Sequence, residues 1–313
     1  MASKSEQVQV RENEQLSWYS NVAASIVDVV DRIKHVLVYS TLYLVFIAMI
    51  EVATVHVILS VPWNPAPVVV GLVTFAVYAG DRIADAETDE ISNPAQSGFV
   101  ARHKRVLSVL TALAYGLAVA IAVTGGPVTL AITLVPGAFW ILYASDWLPG
   151  ASAYASRLKE KLIVGSGMVS LAWALSVVVL PLAFADAPFT PLAGVLFVYF
   201  LVDTFVTTEI INVRDIEGDA AIGVDTLPVV FGVDRTRHIL YGLDLLLLGV
   251  VGAAIAAGLL SLAVGAAVLA GVVYALGLAY YVGRSDRHTR MGIAGQLKHL
   301  VVYGLLLVAT TGV

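Results

Sequence analysis

The chain has no cysteine among its 313 residues and very little charge. The first absence excludes disulfides, thiolate metal sites and a cysteine nucleophile, and says little about compartment. The second is more informative. Only 13% of residues are charged, against about 25% in a soluble domain. The net charge of −5 argues against a nucleic-acid partner. The first 34 residues lack the apolar core of a secretory signal. They carry instead Lys4, Arg11, Arg32 and Lys34.

What fills the chain is apolar: 59% of residues are hydrophobic and the mean hydropathy is +0.87. Nine apolar runs have membrane length, approximately Val36–Ser60, Ala66–Gly80, Val106–Thr124, Pro127–Ala144, Leu162–Phe184, Phe189–Thr208, His238–Ala257, Leu259–Val282 and Leu297–Val313. Runs of this length predict helices rather than barrel strands. The expected fold class is all-α, a polytopic membrane protein of nine transmembrane helices in a single bundle around a central cavity. The expected organisation is a cytoplasmic tail over residues 1–34 and one transmembrane domain over residues 35–313. The tail ends in a short amphipathic helix, Ser25–His35, with Ile26, Val29, Val30 and Ile33 against Asp28, Asp31, Arg32 and Lys34.

Basic residues fix an orientation. With nine spans and the N-terminus inside, the inner loops hold Arg82, Arg102, Lys104 and Arg105, then Arg157, Lys159 and Lys161, then Arg214, Arg235 and Arg237, then Arg284, Arg287 and Arg290. The N-terminal four and Lys298, at the inner end of the last span, complete all 18. The outer turns at Trp63-Asn64-Pro65, Thr124–Pro127, Ala185–Pro188 and Gly258 carry none. The positive-inside rule places the long, charged loops in the cytoplasm, in a cell membrane.

Two acidic stretches lie in those inner loops, four spans apart. One is Asp81-Arg82-Ile83-Ala84-Asp85-Ala86-Glu87-Thr88-Asp89. The other is Asn212-Val213-Arg214-Asp215-Ile216-Glu217-Gly218-Asp219. Four-residue spacing stacks Asp81, Asp85 and Asp89 on one helix face, and Asp215 and Asp219 on another. Stacked carboxylates repel unless a cation sits among them. Mg2+ bridging to a diphosphate suits the site, because Mg2+ takes one or two carboxylates plus phosphate oxygens. Arg82, Arg102, Lys104, Arg157, Lys159, Lys161 and Arg214 are on the same side for the phosphate charge. Such a site stabilises a departing diphosphate, and an apolar bundle beneath it houses a hydrocarbon tail. Together these features point to a polyprenyl diphosphate ionising to an allylic cation at the membrane face.

Asp81-xxx-Asp85-xxx-Asp89 with Ile91-Ser92-Asn93-Pro94 resembles the first aspartate-rich motif of the UbiA superfamily of intramembrane prenyltransferases. Asn212–Asp219 followed by Gly223-Val224-Asp225-Thr226-Leu227-Pro228-Val229-Val230-Phe231-Gly232 is similar to the second motif and its G-x-x-T-L-P…G tail. The resemblance covers roughly residues 30–313. It implies Mg2+ held by Asp81, Asp85 and Asp89 on one side and by Asn212, Asp215 and Asp219 on the other. Asp81, Asp85, Asp215 and Asp219 would be the catalytic carboxylates. Arg82, Lys104, Tyr154, Arg157, Lys159, Lys161 and Arg214 would bind the diphosphate, Tyr154 and Lys159 through a Tyr-xxx-Lys pattern that is one residue longer here. Two departures stand out: Asp81 replaces the family's usual Asn, and Arg82 stands where Asp is frequent. The implied reaction transfers a prenyl group to a lipophilic acceptor, such as a quinone precursor, an archaeal ether lipid or a carotenoid, and releases pyrophosphate. A cation transporter using the carboxylates as an ion path and a CDP-alcohol-type phosphatidyltransferase are the competing readings. The second lacks its Asp-Gly…Ala-Arg signature here.

Four ionisable side chains fall inside spans: Glu51, His56, Asp203 and Asp244. Groups of this kind usually face the bundle interior or a wet cavity. Glu51 fits either a packing role or contact with the tail cavity. Asp203 is placed to extend the second motif's acidic face. His299 and Tyr303 read as an interfacial, snorkelling pair.

Overall fold

The computed structural model describes residues 36–86, 93–144, 162–221, 223–284 and 288–311. The expected tail and its amphipathic helix lie outside the described residues. The chain divides into two compact units, Met1–Tyr43 and Leu44–Val313. In the described part of the first, residues 36–39 form a helical turn that ends at Thr41, with φ 66°.

Every regular element among the described residues is helical. We number them α1 (Leu42–Leu59), α2 (Ala66–Ala84), α3 (Pro94–Thr124), α4 (Pro127–Ala144), α5 (Val164–Phe184), α6 (Pro191–Ala221), α7 (Leu227–Ala256), α8 (Leu262–Tyr281) and α9 (His288–Thr311). Only a helix satisfies every backbone donor and acceptor within its own segment, as lipid demands of an open chain. Eight of these are long and apolar enough to cross a membrane. The expectation of nine is therefore met for eight, since the apolar part of α4 is the shorter stretch Pro127–Ile141. Large apolar side chains that would be anomalous in water stay exposed on α3 (Val106, Val109, Leu110, Leu113, Leu117) and α9 (Leu300, Val301, Leu305, Val308). Both helices present a lipid-facing side.

Several helices overrun the apolar runs that predicted them. Helix α3 begins at Pro94, and α6 continues through the whole second acidic stretch to Ala221. At 1.5 Å per residue α6 is about 46 Å long, more than the roughly 30 Å hydrocarbon core of a bilayer. Hydropathy marks the membrane, whereas a helix continues for as long as its backbone bonds close.

Helix α6 packs against α5, α7 and α9, and α2 packs against α3 and α4. The main core joins Ala48, Val52 and Val55 of α1 to Val69 and Val73 of α2, Val177 and Leu180 of α5, Leu196 and Phe200 of α6, Leu247 of α7 and Val272 of α8. A second cluster around Val206, Ile210, Leu240 and Met291 supports the far half of α6. Two local irregularities shape the interior. In α5, Leu175–Val179 is a π turn, with the Leu180 N–H reaching Leu175 O, just before Pro181. In α7 the backbone breaks at Gly232, with φ 75° and ψ 162°. That region is essentially open to glycine alone, which gives a physical reason for the glycine that closes the T-L-P…G tail.

The interior also holds charge. Lys298 Nζ lies 2.7 Å from Asp203 Oδ1, with side chains only 1% and 3% exposed, and Lys298 donates to Thr207 Oγ1 at 3.2 Å. His299 Nε2 is 2.9 Å from Glu51 Oε1 and 3.4 Å from Asp203 Oδ2. The Trp173 indole N–H donates to the other Glu51 oxygen. This corrects three expectations. Lys298 is a buried ion-pair partner rather than a topological marker, and His299 is buried rather than snorkelling. Asp203 faces α9 instead of extending the acidic motif. Lys298 and Asp203 neutralise each other from different helices, which a buried charge requires. His56 Nδ1 lies 2.9 Å from Val52 O and its ring stacks on Trp63, while its buried Nε2 has no hydrogen-bond partner among the described residues.

Candidate active site

One cavity, of about 290 Å³, opens between α2, α4, α5, α6 and the turn before α7. Its wall includes Asp81 from α2, Asn212 and Asp219 from α6, and Asp225 and Thr226 from the turn. The two acidic stretches therefore meet at one space, as a shared site requires. The rest of the wall is largely apolar, with Val70, Val73 and Val77 of α2, Phe139 and Trp140 of α4, and Val169 and Ala172 of α5 among its residues. From Asp81 back to Val70, also in the wall, is about 16 Å of helix. Polar oxygens and a long apolar lining thus border the same volume.

Local backbone structure explains how the oxygens arrive there. Asp81 is in the last turn of α2, directly after Gly80. A Cβ at Gly80 would meet the Trp140 ring at 3.3 Å, so glycine lets α4 bring that cavity-wall indole close. Asp85 is the C-cap, its N–H donating to Asp81 O at 2.8 Å. The predicted acidic face thus runs off the helix end. Ser97 of α3 donates to Ala86 O at 2.6 Å and anchors the chain just beyond. Asn212, Asp215 and Asp219 lie on α6 near its C-terminal end. Asp81, Asp85 and Asp219 sit in or just past the last turns of their helices, where the macrodipole already adds negative potential. Carboxylates in such places raise the local demand for a cation.

The members differ in placement. Asp81 and Asp219 line the cavity, while Asp85 and Asp215 are half-buried and not in its wall. Arg214 grips Asp215 through two bonds of 2.7 Å, from Nε to Oδ1 and from Nη2 to Oδ2. Arg82 is half-buried and Lys104 exposed, and neither belongs to the lining. Asp89, Tyr154, Arg157, Lys159 and Lys161 lie outside the described residues.

The structure adds residues that motif reading missed. Glu209, 1% exposed, accepts from the Ser166 hydroxyl at 2.6 Å and from the Leu227 N–H at 3.1 Å. Asn212 Nδ2 donates to Ser166 Oγ at 3.3 Å. Glu209 carries a sequence signal, a carboxylate one helical turn before Asn212. Ser166 carries none, since its partners are 43 and 46 residues away.

The donor set suits Mg2+. Asp81, Asn212, Asp219 and Asp225 offer hard oxygen ligands. Thr226 Oγ1, in the same wall, is buried with no hydrogen-bond partner among the described residues, as expected of an atom that awaits a ligand. Among the described residues no group of three His, Cys, Asp or Glu side chains forms a metal cage.

Comparison with known proteins gives a concordant result. The sequence model of the UbiA prenyltransferase family matches residues 37–300. A UbiA homolog from Archaeoglobus fulgidus bound to GPP and Mg2+ superposes with a TM-score of 0.61 at 13% identity, covering 88% of this chain and 100% of that one. The same homolog bound to DMAPP and Mg2+ gives 0.58 at 14% identity, covering 88% and 99%. The apo UbiA homolog from Aeropyrum pernix K1 gives 0.64 at 13% identity, covering 84% and 96%. No curated protein sequence gives a significant match.

Proposed function

The chain belongs to the UbiA prenyltransferase family, and on that premise we propose that it moves a prenyl group from a polyprenyl diphosphate to a lipophilic acceptor, releasing pyrophosphate. One observation carries the reading: the cavity in which Asp81, Asn212, Asp219 and Asp225 share walls with a long apolar lining. That combination fits a molecule with a diphosphate head and a hydrocarbon tail. It is also the class of ligand in the two A. fulgidus homolog structures, which hold DMAPP or GPP with Mg2+.

Asp81, Asp219 and the neutral Asn212 amide oxygen would hold Mg2+, with Asp85, Asp89 and Asp215 completing the acidic set. Bound there, Mg2+ would neutralise the negative charge that builds on the departing diphosphate. The chain's own residues do the rest. Arg214, Arg82 and Lys104, with Tyr154, Arg157, Lys159 and Lys161, complement the remaining phosphate charge. The apolar wall excludes water, so the carbon cation left when the C–O bond breaks meets the acceptor rather than hydroxide. Phe139, Trp140 and Trp173 in the wall offer π faces to that cation. A bond then forms from the prenyl carbon to the acceptor, which gives up a proton. An ether lipid, a quinone precursor and a carotenoid all fit an apolar approach from the bilayer. The charge pattern of the loops supports a cytoplasmic mouth in the cell membrane.

The ion-path alternative would use the interior carboxylates Glu51 and Asp203. Asp203 is held by Lys298 and Glu51 by His299, both on α9, which weighs against a path for a mobile ion. The test supplies membranes containing the protein with geranylgeranyl diphosphate and a panel of the three acceptor classes. Mg2+-dependent pyrophosphate release with at least one acceptor is expected, and its loss in Asp85→Ala and Asp215→Ala. No release with any acceptor, or full activity in both variants, would overturn the proposal.

A further inference from the structure

The carboxylate of Glu209 touches neither cavity nor solvent, yet it is bonded to what the cavity shows. Its Oε2 receives the Leu227 N–H and its Oε1 the Ser166 hydroxyl. Ser166 and Asn212 both line the cavity, and Asn212 Nδ2 is 3.3 Å from Ser166 Oγ. With the Glu209 carboxylate ionised, the direction of these bonds is fixed. A hydroxyl has one proton, and here it is committed to Glu209. Ser166 Oγ has only lone pairs left, so it faces the NH2 end of the Asn212 amide and not its oxygen. The two ends of an amide are otherwise nearly interchangeable in shape.

We infer that Glu209 is a positioning residue that fixes the Asn212 amide, directly and through Ser166, with Oδ1 turned to the metal–diphosphate end of the cavity. The amide nitrogen has no lone pair to give a cation, whereas Oδ1 is the kind of oxygen Mg2+ accepts. Reversal of the amide would therefore remove one ligand. Glu209 also holds the N–H that opens α7, and so steadies the turn carrying Asp225 and Thr226. The inference rests on the reading of Asn212 as a cation ligand.

The test uses detergent-purified full-length protein, with Mn2+ and inorganic pyrophosphate as the probe, and counts bound Mn2+ by electron paramagnetic resonance. Glu209→Gln has nearly the same shape, but its amide can donate to Ser166. The serine proton is then released toward Asn212, whose amide can reverse. Mn2+ affinity should fall about tenfold, the lower end for loss of a residue that orients a metal ligand. Ser166→Ala removes the bridging hydroxyl without touching the Leu227 bond, leaves only the direct Glu209–Asn212 interaction, and should act in the same sense. The decisive arm repeats both in an Asn212→Asp background. A carboxylate presents oxygen at either end, so neither substitution should weaken Mn2+ binding there. A merely structural role for Glu209 would give the same loss in both backgrounds, and that result would overturn the inference. Wild-type affinity in Glu209→Gln and Ser166→Ala with Asn212 in place would also overturn it. If the unsubstituted protein binds no Mn2+ with pyrophosphate, the inference falls together with the cation site itself, an outcome distinct from the other two. Thermal melting of each variant shows that it is folded, and Ser166→Ala carries the test if Glu209→Gln is not.

Discussion

Replacing Lys298 by Met tests whether the bundle interior depends on the ion network joining α1, α6 and α9. Met keeps most of the volume and removes the charge. Asp203, its partner at 2.7 Å, is 3% exposed and would lose its closest cation. Breaking a buried pair by removing one member costs about 3–5 kcal/mol, because the other charge stays behind. His299 Nε2 still lies 3.4 Å from the second Asp203 oxygen, which sets the expectation at the lower end, about 3 kcal/mol. For a chain of 313 residues, at about 2.1 cal/mol/K of unfolding entropy per residue, that corresponds to roughly 5 °C in Tm. The assay is thermal unfolding in detergent followed by tryptophan fluorescence. Lys298→Met combined with Asp203→Leu removes both charges and should recover most of the loss, since a buried pair exchanged for apolar groups is often close to neutral. A single variant as stable as the parent, or a double variant no better than the single, would refute the reasoning.

Asp244 should behave in the opposite way. It is 0% exposed, and neither carboxylate oxygen has a hydrogen-bond partner among the described residues. Asp244→Asn is expected to leave Tm unchanged or raise it, while Asp203→Asn lowers it, in the same melting assay. Two glycine substitutions separate backbone strain from crowding. At Gly232 an added Cβ meets nothing within 4 Å but the backbone has φ 75°, so Gly232→Ala should cost about 1–3 kcal/mol through conformation alone. At Gly271 the Cβ would lie 2.6 Å from Val302 Cγ2, so Gly271→Ala should destabilise and Val302→Ala should relieve it. Melting of the single and paired variants reads both.

What the sequence made legible follows from its physics. Long apolar runs predict spanning helices because lipid leaves the backbone few options, and four-residue spacing places Asp215 and Asp219 together because α6 is continuous there. The closing of both acidic stretches on one cavity was implied by their shared side of the membrane. Lys298 and His299 were misread for an instructive reason. The positive-inside pattern explains any basic residue near a span end, and the partners that bury these two, Asp203 and Glu51, are on α6 and α1. No local pattern reports such a pairing. The Glu209–Ser166–Asn212 chain was half legible, since a carboxylate one turn before a motif is a visible oddity. The serine that gives it meaning belongs to another helix. The π turn at Leu175–Val179 was signalled only by Pro181 beyond it.

The proposed reaction seats the prenyl diphosphate in the cavity between α2, α4, α5 and α6. Photo-crosslinking tests this, using a geranyl diphosphate analogue with a benzophenone at the tail end, followed by mass spectrometry of the labelled peptides. Labels are expected within Val70–Asp81 of α2 or Ser166–Ser176 of α5, dependent on Mg2+ and competed by unlabelled geranylgeranyl diphosphate. Labels confined to the lipid-facing sides of α3 or α9, or labelling indifferent to Mg2+ and competitor, would contradict it.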